Sequence, residues 1–185
     1  RVAAPRRRHH LSFPPRGVPL SALKFREYAA LGVAPWLRLI QAIGDLLLEE
    51  QAPPDRAVSR LAARLAEARW PLEPSDRNIR RYAAYFASGI RGELGSKWSV
   101  PPLGLWSPAP LAFPEADVPT GWLPPGAYLA VVEGEAAVAA LHRISADAGH
   151  YGLAPVKVMD LLISFEIYWD ISAGDARQIF RDRNL

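Results

Sequence analysis

The sequence predicts a mainly α protein: a small helical bundle with a helix-turn-helix-like pair, a proline-rich connector and a second small helical region. Three observations lead there. Apolar residues recur at three-to-four spacing through several stretches. Residues that favour helix starts (Ser21, Asp55, Ser75 and Ser172) stand ahead of those stretches, and Gly or Pro breaks separate most of them. Charge, finally, is split by position. Up to Lys97 the chain carries 17 Lys+Arg against 9 Asp+Glu, and from Trp98 onward 5 against 10. The net +3 therefore hides a basic half and an acidic half. Such asymmetry points to a polyanion or an acidic surface as partner for the first half.

Residues 1–19 read as a flexible basic arm, with Arg6, Arg7 and Arg8 available to phosphates and no apolar core that could act as a secretory signal. Pro14, Pro15 and Pro19 delay the first helix until Ser21, which caps 22–31. Leu23, Tyr28 and Leu31 form its stripe, and Gly32 suits its end. Pro35 opens a second helix running to about Glu50, with Trp36, Leu39, Ile40, Ile43, Leu46 and Leu47 inward. A third, 56–69, turns Val58, Leu61, Ala62 and Leu65 inward and Arg56, Arg60 and Arg64 outward. Ser75 caps a fourth, 76–87, with Ile79, Ala83 and Phe86 on one face. These make a basic helical domain over 20–97.

Eight prolines fall within 98–126. That density argues against helix and central strand alike. With Trp98, Trp106, Phe113 and Trp122 among them, this connector is expected to strap across a neighbour's surface. Residues 128–132 are short and β-prone, a strand or an extended lead-in to the next helix. Residues 134–148 read as helix through Val138, Leu141 and Ile144. Pro155 opens another, apolar nearly all round as far as Trp169, which implies burial against two partners. Ser172 and Asp175 resemble a capping box ahead of a last helix through Ile179 and Phe180. Residues 127–185 thus form an acidic helical domain, with 155–185 expected to serve a homo-oligomer or a protein partner.

The pair of helices over 58–87 resembles the helix-turn-helix and winged-helix DNA-binding superfamily. The resemblance rests on Ala57-Val58-Ser59-Arg60-Leu61 leading to Arg64, then Ser75-Asp76-Arg77-Asn78-Ile79-Arg80-Arg81. It departs from a tight turn because 70–74 holds two prolines, which favours a looser, winged-helix-like arrangement. The resemblance implies that the second helix enters the major groove. Arg77, Asn78, Arg80 and Arg81 would then meet base edges, since Arg suits guanine and Asn suits adenine. Arg60 and Arg64 would meet the backbone. The competing explanation is two amphipathic helices with a solvated Arg face.

Enzymatic chemistry finds little footing. With no cysteine there are no disulfides, thiolate metal sites or Cys nucleophiles. His142, Asp147 and His150 are spaced wrongly for one helical face, so no metal or other cofactor is expected. No apolar run approaches the roughly 18 residues of a membrane span. The expectation is a cytoplasmic, non-enzymatic protein of bacterial or phage type that binds duplex DNA. The alternative is a structural or adaptor subunit of a larger assembly with charge-complementary faces.

Overall fold

Alternation of period two, rather than 3.6, organises the middle of the molecule. The structure, a computed structural model, describes residues 17–43 and 74–183. The expected arm (to residue 16), most of the second helix's latter half and the third helix with Arg60 and Arg64 lie outside the described residues.

The mainly α expectation is overturned, and the all-α description with it. The described residues build a six-stranded mixed sheet flanked by helices, an α/β fold. Strands β1 (Val18–Arg26) and β2 (Ala29–Pro35) occupy the expected first helix. They pair antiparallel about a turn at Glu27-Tyr28, with an irregularity between Lys24 and Arg26. Leu23 and Leu31 stand directly opposite each other in that pairing. Their spacing of eight fits a helical stripe, but the turn at Glu27-Tyr28 falls between them and brings the two leucines together across a hairpin.

Helix α1 (Trp36–Ala42) begins where Pro35 predicts and ends at Ile43, whose extended backbone bridges Leu129. Helix α2 (Asp76–Ile90) starts at the expected cap, where Ser75 Oγ accepts from the Asn78 N–H at 3.3 Å. Strands β3 (Leu103–Trp106) and β4 (Thr120–Leu123) arise inside the proline-rich stretch. The prolines punctuate them instead of excluding them. Pro102 and Pro108 bracket β3, and Pro119 and Pro124 bracket β4.

Strand β5 (Ala130–Glu133) and helix α3 (Glu135–Ala146) follow the sequence pattern closely. The long apolar helix does not form. Helix α4 stops after Pro155–Met159, and β6 (Leu162–Tyr168) replaces the rest. Being apolar nearly all round is what an interior strand needs as much as a buried helix does. Helix α5 (Ala173–Arg183) begins at the Ser172 box, where Ser172 Oγ accepts from the Asp175 N–H at 3.0 Å and donates to Asp175 Oδ2 at 2.7 Å.

Strand order is β4-β1-β2-β6-β3-β5. All neighbours are antiparallel except β3 and β6, which run parallel. The inner face carries the main core: Leu20, Ala22, Ala30, Ala34, Leu103, Leu105, Val131, Ile163, Phe165 and Ile167. Onto it pack Trp36 and Leu39 of α1, Phe86 of α2, Leu141 and Ile144 of α3, and Val158 of α4. Buried Trp36 is satisfied, its Nε1 donating to Ser145 Oγ at 2.7 Å. The outer face has a smaller cluster of Ala29, Val132 and Tyr168, roofed by Ala176 and Phe180 of α5.

Candidate functional site

Two surfaces stand out: the arginine edge read from the sequence, and a sheet face the sequence reading missed. Along α2, Ala83, Phe86 and Ala87 are buried and the helix packs chiefly against α3. That orientation is fixed by the apolar spacing, and it leaves Arg77, Asn78, Arg80 and Arg81 exposed. Arg77 and Arg81, four apart, share the side away from the core. Asp76 sits among the arginines, 3.1 Å from Arg80 Nε and 2.8 Å from Arg143 Nη2 of α3. The Arg143 hydrogen bond, followed by the charges of Arg80 and Arg143, outweighs desolvation and holds the Asp76 carboxyl below its ordinary range. The Arg80–Asp76–Arg143 group thus ties the start of α2 to α3 and offsets part of the positive charge. Asn78 contributes its backbone N–H to the Ser75 cap.

Two histidines lie among the described residues. His142 lies on α3, and His150 stacks edge-on to Tyr151 in the short 3-10 turn Ala148–Tyr151. Asp147 accepts the His150 backbone N–H. Among the described residues no group of three or more His, Asp or Glu could hold a metal ion, and no helix is long and apolar enough to cross a membrane.

The second surface is half of the outer sheet face. Alternation along the strands sets three neighbouring rows on this side. One holds Leu23, Leu31 and Glu166, the next Ser21, Val33 and Ser164, and the third Pro19, Pro35 and Leu162. Four large apolar side chains in these rows are open to solvent: Leu23 (67% exposed), Leu162 (65%), Leu31 (46%) and Val33 (44%). In a pleated sheet they form a contiguous patch, not scattered apolar residues. At Leu162 the patch runs into an open groove of about 390 Å³, bordered also by Trp98, Val156, Lys157 and Asp160.

Helix α5 bounds the patch. Its Phe180 packs edge-on to Tyr168, and its Arg183 reaches over β6. Arg183 Nη1 donates to Glu166, and Nη2 donates to the Tyr168 hydroxyl at 2.9 Å. That hydroxyl donates to Glu166 Oε2 at 3.0 Å. Burial, reinforced by the Glu166 hydrogen bond, pushes the Tyr168 phenol up to about 12. Glu166, the one acid in these rows, is thus ion-paired with Arg183 and hydrogen-bonded by Tyr168.

Only the alternation of one contributing strand was readable in the sequence. Residues 162–168 alternate Ile, Phe and Ile with Ser and Glu. Comparison with known proteins returns no matching family model, no matching curated protein and no matching solved structure.

Proposed function

We propose that the protein is a cytoplasmic binding subunit of a larger assembly, holding a protein partner on the open half of its outer sheet face. The observation that carries this reading is the contiguous exposure of Leu23, Leu31, Val33 and Leu162 beside a half already roofed by α5. Apolar side chains exposed side by side on a sheet, rather than singly, favour association. Its chemistry, apolar side chains around Ser21 and Ser164, suits a polypeptide surface.

A photo-crosslinking residue at position 31, compared with one at exposed Asp117, tests the reading in the native cell. A discrete protein adduct is expected from position 31 alone. Equal adducts, or none, from the two positions would overturn it.

A second reading, duplex DNA along the arginine edge, is favoured by the joint exposure of Arg77, Arg80 and Arg81 at the start of α2. A reader making several phosphate contacts loses orders of magnitude in affinity between about 50 and 200 mM salt. An anisotropy titration of wild type against Arg80→Ala/Arg81→Ala tests it, and equal weak binding by both would sink it.

A further inference from the structure

Six strands about 4.8 Å apart make a sheet roughly 24 Å across, and a packed helix covers about 10–12 Å of it. Helix α5 occupies one such width, its buried residues clustering with Tyr168 of β6 and Val132 of β5 and its Phe180 ring lying on Gly104 of β3. Ala29, at the start of β2, also lies under α5. What stays open therefore lies over β1, β2 from Leu31 onward and the near side of β6, bordered by Thr120 and Trp122 of β4. The strip is on the order of 10–14 Å wide, which is one more helix. Its length, from the row of Leu23 to that of Pro19, is about 14 Å, or between two and three helical turns.

We infer that the occupant of this face is an amphipathic helix of a partner protein, laid beside α5 to complete the outer layer. This rests on the reading that the face binds protein. The floor, on the order of 200 Å², is far below the roughly 800 Å² per partner of a standard interface. Two flat copies meeting here would bury too little to hold together, whereas a helix also gains contact from the flank of α5. The partner helix presents apolar residues at i, i+3 or i+4, and i+7 to Leu23, Leu31, Val33 and Leu162.

Charge selects an acidic helix. Glu166 is already engaged by Arg183 and Tyr168. Arg26, opposite Ala29 and therefore on the outer side at the end of the strip, has no ion pair among the described residues; its guanidinium lies 6.0 Å from the Phe25 ring. A carboxylate on the partner's first or last turn would meet it.

The test uses the full chain, immobilised, against a displayed library of randomised 20-residue peptides, with the Leu31→Lys variant as counter-target. Val33→Glu serves as a second variant, and thermal melts check that both remain folded. The expected result is enrichment of Asp/Glu-rich sequences with helical apolar spacing. Their affinity should fall more than tenfold on Leu31→Lys or Val33→Glu, and Arg26→Glu should remove the acidic bias. Three results would overturn the inference: enriched peptides of alternating, strand-like pattern; no enrichment that distinguishes wild type from variant; or a dimer of the free protein in light scattering that Leu31→Lys dissolves. If the position-31 crosslink to a partner persists while helices are not selected, the face binds protein but its occupant is not a helix.

Discussion

The ring of Phe180 rests directly on Gly104: a Cβ at that position would stand 2.7 Å from the ring carbons and equally close to Glu133 Cβ. The glycine is what lets α5 sit down on the sheet. Gly104→Ala is expected to lower stability by about 1–3 kcal/mol, the usual range for overpacking. The loss should be focused on α5, so amide exchange of residues 176–180 should rise more than that of α3. A uniform change across both helices would contradict this account.

Ser145→Ala leaves the Trp36 Nε1–H buried without a partner. Such a group costs about 1–3 kcal/mol, which urea denaturation should report. Ser145 Oγ also donates to the Leu141 carbonyl at 2.7 Å, a second bond lost in the same variant. In a Trp36→Phe background the further effect of Ser145→Ala should shrink, because the orphaned donor has gone.

Tyr168 links stability to alkaline pH. Its phenol rises from 10.0 to about 12 in the folded protein, chiefly through burial and then through the Glu166 hydrogen bond. A raised value means that the native state keeps its proton longer than the unfolded chain. The contribution is therefore complete below about pH 10 and lost as pH rises through about 12. The phenolate absorbance of one tyrosine should appear late in an alkaline titration. Tyr168→Phe should abolish that late step and flatten the fall in stability across this window.

Replacing Leu23 or Leu31 by a polar residue should leave the fold nearly untouched. Both side chains are open to solvent, and substitutions at such positions usually change stability by no more than about 0.5 kcal/mol. Partner binding should nonetheless be lost. A melting temperature lowered in proportion to the loss of binding would show that the two leucines support the fold rather than contact a partner.

Legibility in the sequence tracked how local each signal was. Ser75 and its helix, the box at Ser172 and the strand near 130 were readable because caps and short alternations depend on neighbours in the chain. Of the three misread stretches, 22–31 and 162–169 are apolar at spacings compatible with either period, and tertiary pairing decides between them. In the third, 98–126, the prolines flank β3 and β4 without interrupting them. Ile163 and Phe165 face the main core, while Tyr168 faces the α5 cluster. Seen only as a string, that double-sided burial looks like a helix apolar all round. For the arginine edge, the sequence placed Arg77, Asn78, Arg80 and Arg81 on the exposed side of α2, because helical phase follows from Ala83 and Phe86. The open sheet face was invisible, since it exists only once β1, β2 and β6 lie side by side.

The position of β6 has a temporal consequence. It is the last described strand to leave the ribosome, yet it lies inside the sheet, joined on one side to β2 and on the other to β3. Until Tyr168 has been synthesised, the group β4-β1-β2 and the pair β5-β3 have no strand between them. A nascent chain halted before β6 would expose two unpaired edges, each a template for misassociation. Completion of the sheet thus waits on nearly the whole described chain, as closing a garment waits on the last stitch of its central seam.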